Sequence, residues 1–250
     1  MFHKNEKNPD LIFGTRAVVE AIESGREINK VFIKAGTDNA LIRDLKAAIA
    51  KHKIFYQYVV EEKIERLAPY KNHQGVVALV SPVSYDEIEM VLPELFESGK
   101  LPLLVILDGI TDVRNFGAIA RSVAAFDADA IIIPLKGGVS ITSDAVKTSA
   151  GALSRVRTCR VKDMQQTLAF LRQSGVYIVA CTEKATKNID KINFTVPIAI
   201  ILGSEEDGIS KECLQKSDVE ATIPLSGEMN SLNVAAAASI ILYEAYKQRQ

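Results

Sequence analysis

Three segments of the chain place polar side chains and glycine where an apolar run ends or a helix begins. They are Asp108 to Arg121, Gly203 to Gly208 and Ile223 to Val234. In open α/β sheets ligands bind at the carboxyl ends of the strands, so we expect these segments to meet at one site. The sequence contains no GxGxxG, GxxxxGKS/T or GxSxG pattern, which disfavours ordinary nucleotide hydrolysis and serine-hydrolase chemistry.

The first segment combines an arginine and an asparagine near the start of a predicted helix. Arg121 lies four residues after Gly117 and therefore on the same helix face. From there its guanidinium can bind a phosphate through two nitrogens, while Asn115 can cap the helix or orient the arginine. An ordinary surface ion pair is the alternative role for Arg121. Gly117 indicates the close approach of another backbone.

The other two segments offer acids and a second set of polar groups. Gly203 and Gly208 bracket three consecutive acids, Glu205 to Asp207. Such acids suggest a hydrolase or a metal site, but the sequence places no further ligand nearby, and a tight turn with exposed acids is the alternative. Ser231 and Asn233 lie at the start of the terminal helix, where Ser231 can serve as the helix cap or contribute to the site.

The composition is that of a globular protein of 250 residues, 48% hydrophobic and 24% charged, with a formal net charge of −1. This length predicts one large domain or two small ones. No apolar stretch approaches the roughly 20 residues of a membrane helix, and the polar first ten residues lack a secretory signal, so we expect a cytoplasmic protein without membrane contact. The scattered cysteines and histidines predict buried, reduced thiols and no metal site; they are Cys159, Cys181, Cys213, His3, His52 and His73.

The hydrophobic pattern predicts a mixed α/β fold in two parts. In residues 1–81 short strands (Lys30–Lys34, Ile54–Val60, Gly75–Val80) alternate with helices at about 14–24, 41–49 and 61–67. The acidic stretch 82–100 is interpreted as a connecting helix and linker that breaks at Pro93. Residues 101–250 carry the continuous apolar runs that are typical of parallel strands covered on both faces. These runs are 103–107, 130–133, 176–180 and 198–202, and helices are expected at about 116–126, 164–174 and 232–247.

Charge is distributed unevenly along the chain. The stretch from Ser81 to Lys100 is acidic, whereas that from Lys136 to Lys162 carries six basic residues against Asp144 alone. The basic stretch is a candidate phosphate-facing surface, and a merely solvated face is the alternative. In the last helix the run Ala235–Ala238 permits close packing, either within the chain or against a second subunit.

Taken in order, the three segments resemble the SPOUT-class RNA 2′-O-ribose methyltransferases of the SpoU/TrmH type. The resemblance rests on Asn115-Phe116-Gly117 with Arg121, on Gly203-Ser204-Glu205 with Gly208, and on Ile223-Pro224 followed by Ser231-Leu232-Asn233-Val234. At the front of the chain, Phe13-Gly14 with Ala17-Val18 and His73-Gln74-Gly75 resemble the ribosomal-protein-like substrate-binding domain of the 23S rRNA guanosine methyltransferase branch. Phe116 and the pair Glu206-Asp207 depart from the usual family pattern.

The resemblance implies a fold and a division of roles that the hydrophobic pattern does not supply. It implies a C-terminal trefoil knot in residues 101–250 that binds S-adenosylmethionine, an RNA substrate-binding domain in residues 1–81, and a homodimer whose active site uses both subunits. The implied catalytic residues are Asn115, Arg121, Glu205, Ser231 and Asn233. The implied cofactor-binding residues are Thr182, Leu202, Gly203, Gly208, Ile223, Leu225 and Leu232. The expected RNA-binding residues are Arg16, His73, Gln74, Lys147, Ser149 and Arg155.

The predicted function is methylation of a ribose 2′-hydroxyl, preferably of guanosine in large-subunit rRNA, without a metal. The family is proposed to use its motif arginine as the base. Because a guanidinium stays protonated, we expect Arg121 to clamp a phosphate and orient the hydroxyl instead. Three alternatives remain at this stage: a tRNA substrate, a non-catalytic RNA-binding or ribosome-assembly factor, and a metal hydrolase that uses Glu205 to Asp207.

Overall fold

The computed structural model describes residues 10–226 and 231–250. The chain divides into two compact units, the first reaching to Ser84 and including Ser140–Ser143, the second comprising Tyr85–Val139 and Asp144–Gln250. Ser143 belongs with the first unit because the carboxylate of Asp10 accepts hydrogen bonds from its backbone N–H and its hydroxyl. The expected α/β class is confirmed.

The first unit is built on a four-stranded mixed sheet. Its strands are β1 (Leu11–Phe13), β2 (Ile28–Lys34), β3 (Tyr56–Val59) and β4 (Val76–Val80), in the order β1-β4-β2-β3. Its helices are α1 (Thr15–Glu23), α2 (Ala40–Lys51) and α3 (Glu61–Leu67). Strand β2 pairs parallel with β3 and antiparallel with β4, which leaves β1 and β3 as the two edges.

Helices cover both faces of this sheet. The apolar stripe of α2 was predicted from its helical spacing, and its members Ile42, Leu45 and Ile49 are buried against α1 and one face of the sheet. The other face is closed by Ile64 of α3. Asn39 begins α2 because its side chain accepts the backbone N–H of Ile42 at 3.0 Å.

The second unit is built on a six-stranded parallel sheet. Its strands are β5 (Leu103–Asp108), β6 (Ala130–Pro134), β7 (Arg157–Val161), β8 (Tyr177–Cys181), β9 (Ile198–Gly203) and β10 (Val219–Ala221), in the order β10-β8-β9-β5-β6-β7. The four strands predicted from apolar runs are β5, β6, β8 and β9, the four inner strands. In the register of β5 with β9, Asp108 lies beside Gly203, so the segments that follow these strands start next to each other.

The α-helices of the second unit in the described residues are α4 (Ile88–Glu97), α5 (Val113–Ala125), α6 (Ser143–Thr148), α7 (Met164–Gln173), α8 (Lys211–Lys216) and α9 (Val234–Gln248); only Ser143, the first residue of α6, belongs to the first unit. Asp163 caps α7, since its side chain accepts the backbone N–H of Gln166 at 3.1 Å. Helix α5 begins three residues earlier than predicted, because Asp112 accepts the N–H groups of Arg114 and Asn115 at 2.8 Å. Asn115 is therefore not the cap of this helix.

The acidic stretch 82–100 is not a linker throughout, and it does not break at Pro93. Helix α4 runs through Pro93 and buries Ile88, Val91, Leu92 and Leu95 in the core of the second unit. Pro93 is exposed and removes one helical hydrogen bond, a cost that the burial of four apolar side chains offsets. The acidic residues led to the prediction of a linker, but the helical spacing of the apolar residues between them was the stronger signal and indicates a packed helix. The other predicted domain boundaries stay predictions, as does the trefoil knot.

No helix in the described part of the chain is both long and apolar enough to cross a membrane.

Candidate active site

Three polar side chains from three distant segments form one hydrogen-bonded cluster. The amide nitrogen of Asn115, in the first turn of α5, donates to Oε1 of Glu205 at 3.1 Å. The amide nitrogen of Asn233 donates to the same oxygen at 2.5 Å and also lies 3.0 Å from Oδ1 of Asn115. The carboxylate of Glu205 thus fixes the orientation of both asparagines. We call these three residues the amide–carboxylate cluster.

Asn233 belongs to the cluster because of its place at the start of α9. Its Oδ1 accepts the backbone N–H groups of Ala235 and Ala236 at 3.0 and 3.4 Å, which caps the helix. With the oxygen held by the helix, the amide nitrogen is directed at Glu205. The prediction that Ser231 caps this helix is wrong; Ser231 is exposed and lies beside the pocket described below.

The loop that carries Glu205 is closed by contacts around its two glycines. Ser204 and Gly208 exchange backbone hydrogen bonds of 3.1 and 3.0 Å, and the Ser204 hydroxyl accepts the N–H of Asp207 at 3.0 Å. A Cβ on Gly203 would lie 2.2 Å from the carbonyl carbon of Gly208, so only glycine fits there. Glu205, Glu206 and Asp207 remain exposed.

A pocket of about 830 Å³ lies at the carboxyl ends of β8, β9 and β10, next to this loop. All seven predicted cofactor-binding residues line it: Thr182, Leu202, Gly203, Gly208, Ile223, Leu225 and Leu232. Glu205, Ser231 and Asn233 line it as well. Its volume lies within the range of small-molecule and cofactor sites, roughly 300–1,000 Å³. The structure therefore brings the three sequence segments together, as expected.

Sequence reasoning missed several residues that line the pocket. Ala237 and Ile241 of α9 belong to its wall. They follow Asn233 at intervals of four residues and so lie on the same helix face, which is a signal the sequence contains. Cys181 and Ile189 line the pocket too, but no local pattern points to them.

Arg121 is the predicted catalytic residue that lies apart from the cluster. It is exposed and makes no hydrogen bond or ion pair with any residue of the described ranges. Relative to Asn115 it lies about 9 Å further along α5 and roughly two thirds of a turn around it. On the face of Gly117 and Arg121, a Cβ on Gly117 would lie 2.7 Å from Cβ of Thr148, so the predicted close approach is made by α6.

Several basic residues between Lys136 and Lys162 have partners within the second unit. Arg157 donates to Glu94 of α4 at 2.6 Å, which raises the pKa of its guanidinium, and Arg160 lies 4.0 Å from the ring centre of Tyr85. The acidic and basic stretches therefore partly neutralise each other. Lys147 and Arg155, two predicted RNA-binding residues, are exposed, with Lys147 only 3.7 Å from Asp144.

Two predicted RNA-binding residues face inward instead. Ser149 has no exposed surface, and its hydroxyl donates to the carbonyl of Val146 and accepts the N–H of Leu153. The ring of His73 is buried; its Nδ1 accepts the N–H of Gly75 at 3.0 Å and its Nε2 donates to Glu65 at 2.9 Å. Both side chains stabilise local structure and have little exposed surface, and their contact with RNA stays a prediction.

Arg16 and Gln74 remain as candidates in the first unit. Arg16 is exposed in the first turn of α1, and Gln74 is exposed in the loop before β4. A Cβ on Gly14 would lie 4.0 Å from Oε1 of Gln74, so that loop passes close to the turn that leads into Arg16.

The cysteines show no sign of reactivity. Burial raises the pKa of the Cys159 and Cys181 thiols to about 12 and that of Cys213 to about 11, which keeps all three protonated near neutral pH. Within residues 10–226 and 231–250, no group of histidine, cysteine and acidic side chains could hold a metal ion.

Comparison with known proteins identifies the family. Residues 102–243 match the model of the SpoU rRNA methylase family, and residues 11–86 match that of the RNA 2′-O ribose methyltransferase substrate-binding domain. A protein of Staphylococcus haemolyticus named for the TrmH family of tRNA/rRNA methyltransferases is 34% identical over 239 residues, 96% of each chain.

Solved structures share the architecture. The SpoU methyltransferase AviRb from Streptomyces viridochromogenes, in complex with AdoMet, superposes with a TM-score of 0.61 at 24% identity over 96% of this chain and 90% of that one. A TrmH/SpoU tRNA modifying enzyme of A. aeolicus gives a TM-score of 0.55 at 30% identity, covering 65% of this chain and 84% of its own. The chain belongs to the SpoU methyltransferase family and is an RNA methyltransferase.

Proposed function

We propose that this protein methylates the 2′-hydroxyl of a guanosine ribose in large-subunit ribosomal RNA. The observation that carries the proposal is the amide–carboxylate cluster, Asn115, Glu205 and Asn233, at the edge of the 830 Å³ pocket. The match of residues 11–86 to an RNA 2′-O ribose methyltransferase substrate-binding domain supports the ribose hydroxyl as acceptor. The likeness of that segment to the rRNA guanosine branch favours the large subunit.

The pocket fits S-adenosylmethionine in size and in chemistry. The cofactor supplies an electrophilic methyl group on a positively charged sulfur. Leu202, Ile223 and Leu232 offer apolar surface, and the absent side chain of Gly203 leaves backbone at the pocket wall. The acids Glu206 and Asp207 line the same pocket and complement a cationic ligand.

The cluster contributes alignment. In a displacement at carbon, the attacking oxygen must be held in line with the leaving group, and positioning alone lowers such a barrier substantially. Glu205 holds the amides of Asn115 and Asn233 in one orientation, so that they present a fixed set of polar groups beside the pocket. Arg121 carries a permanent charge without a partner among the described residues, which suits it to clamp the phosphate next to the target ribose.

A homodimer accounts for the distance between Arg121 and the cluster. The outward side of α9 presents Ala236, Ile240 and Tyr243 at helical spacing, and the last two are 42% and 55% exposed. Such an apolar stripe is suited to a second copy of the chain. We place Arg121 of one protomer at the cluster of its partner, and we place the protein in the cytoplasm, where rRNA and tRNA are modified.

A tRNA substrate is the second candidate, because the S. haemolyticus relative is named for both tRNA and rRNA and the A. aeolicus protein for tRNA. The test is transfer of labelled methyl into RNA from cells that lack this protein, followed by separation of rRNA and tRNA by size. We expect label in large-subunit rRNA only, and none with Arg121→Ala. Label confined to tRNA would show that tRNA, and not rRNA, is the substrate. If the folded protein labelled neither RNA nor ribosomal subunits, the proposal would be contradicted.

A further inference from the structure

Tyr70 presents an uncovered aromatic ring to solvent in the first unit. Tyr70 is 98% exposed, and no described residue makes a ring contact with it. Its backbone has a φ of 59°, a conformation that bulky residues rarely adopt. An aromatic ring in this position loses the packing that usually stabilises it, and strain of this kind is concentrated at binding sites.

The loop that carries Tyr70 is nevertheless fixed by hydrogen bonds. His73 anchors it from the inside through Glu65 and the N–H of Gly75. Backbone hydrogen bonds run from Lys71 to Ala68 and from Val76 to His73. The outward direction of Tyr70 is therefore set by the fold, so that a ligand meets a ring that is already in place.

The surroundings of Tyr70 have the chemistry of a nucleic-acid contact. The ammonium of Lys71, the next residue, lies 5.9 Å from the ring centre of Phe13, which is itself 38% exposed at the end of β1. Exposed Arg16 and Gln74 come from the neighbouring turn and the same loop. Aromatic rings beside cations bind single-stranded RNA, because bases stack on the rings while the cations meet the phosphates.

From this arrangement we infer that Tyr70 is a stacking platform for an unpaired base of the RNA substrate, with Phe13 and Lys71 completing the contact. The inference rests on the proposed function, since it names where the first unit binds the RNA that the second unit methylates. Tyr58 is the matched comparison: it is 44% exposed on β3, at the opposite edge of the same sheet, but its ring is packed against Tyr56 and lies under Lys46.

The absence of tryptophan from the sequence permits a direct binding test. Tyr70→Trp and Tyr58→Trp each give a protein with a single tryptophan, and stacking of a base quenches indole fluorescence. We expect a short unstructured RNA of mixed sequence to quench Tyr70→Trp saturably and Tyr58→Trp little. An abasic strand of the same length keeps the phosphates and should not quench. Equal quenching of the two variants, no quenching, or equal quenching by the abasic strand would overturn the inference.

A kinetic test then connects the contact with methyl transfer. We expect Tyr70→Ala to raise the KM for RNA about tenfold with kcat and cofactor affinity unchanged, and Tyr70→Phe to restore the wild-type KM because stacking needs the ring and not the hydroxyl. An unchanged KM in Tyr70→Ala would contradict the inference. The proposed function would still stand in that case, provided that the wild-type protein methylates RNA. If RNA quenched Tyr70→Trp as expected but neither this variant nor the wild-type protein methylated any RNA, the proposed function alone would be contradicted.

Discussion

At the scale of single residues, the site depends on how each polar group is oriented by its neighbours. Glu205 is exposed, yet its Oε1 accepts the side-chain N–H groups of both Asn115 and Asn233. Hydrogen bonds to an ionised acceptor are roughly twice as strong as neutral ones, so the charge of Glu205 is what holds the two asparagines.

Glu205→Gln tests this role because it keeps the shape and removes the charge. We expect kcat to fall about tenfold, because the neutral amide holds the two asparagines less firmly than the charged carboxylate does. The free energy of unfolding should change little, because Glu205 is exposed. Steady-state methylation rates at saturating RNA measure it. Glu206→Gln is the matched control: it removes the same charge from the same pocket without touching the asparagines, and should alter the KM for the cofactor rather than kcat.

The buried thiols give a pH dependence whose sign follows from their raised pKa. Burial lifts the pKa of Cys159 from 9.0 to about 12, so between these values the unfolded chain loses a proton that the folded protein keeps. Stability should therefore fall as pH rises above about 9. Urea unfolding from pH 8 to 11 measures this, and Cys159→Ala should flatten part of the slope. An identical slope in the variant would show that other groups cause the loss.

At the scale of elements, helix α4 and strand β7 bring part of the acidic stretch against part of the basic stretch. Helix α4 buries its apolar side in the core, and its Glu94 pairs with Arg157 of β7. The negative charge of the acidic stretch and the positive charge of the basic stretch therefore partly neutralise each other in the fold. The basic residues left exposed for RNA are fewer than the sequence indicated, with Lys147 and Arg155 among them.

Pro93 is an exposed defect within α4. Its missing N–H and its ring destabilise a helix interior by about 3 kcal/mol relative to alanine, although proline also reduces the entropy of the unfolded chain. We expect Pro93→Ala to raise the unfolding free energy by about 1–2 kcal/mol. Guanidinium titration measures it, with Pro82→Ala, outside the helix, as the control. A loss of stability would contradict this expectation.

At the scale of the whole molecule, α9 connects the site to the far end of the parallel sheet. Asn233, which caps the start of α9, belongs to the amide–carboxylate cluster. Arg249, just after the end of α9, donates to the backbone carbonyls of Phe194 and Val196. Between these ends, one side of α9 lines the pocket and the other is exposed. A partner that covered the exposed side would therefore act on a helix whose position is already fixed.

Subunit complementation tests whether the active site is shared. Arg121→Ala and Glu205→Gln should each be strongly impaired alone. If Arg121 acts on the cluster of the partner, mixed dimers contain one site with an intact arginine and an intact cluster, so mixing the two variants after subunit exchange should restore methyl transfer. Tyr243→Asp in both chains should prevent that recovery by weakening the dimer. No recovery, with mixed dimers demonstrated, would place Arg121 and the cluster in one protomer's site.

The predictable part of the structure is the part that depends on local pattern. The runs 103–107, 130–133, 176–180 and 198–202 predicted the four inner strands of the parallel sheet, because strands buried on both faces need continuous apolar sequence. Strand β7 lies at the sheet edge, where Arg157, Thr158 and Arg160 interrupt its apolar character, and β10 is short, so neither gave such a signal. The motif residues of the pocket were identified by resemblance, and the fold places them together.

The sequence by itself determined the α/β class, the family and the residue types of the site. Only the tertiary structure decided which polar groups meet, because hydrogen bonds between Asn115, Glu205 and Asn233 join positions up to 118 residues apart. It also decided that His73 and Ser149 face inward while Tyr70 faces out. Burial and partners of a polar side chain depend on elements distant in the chain, whereas hydrophobic periodicity depends only on neighbours along it.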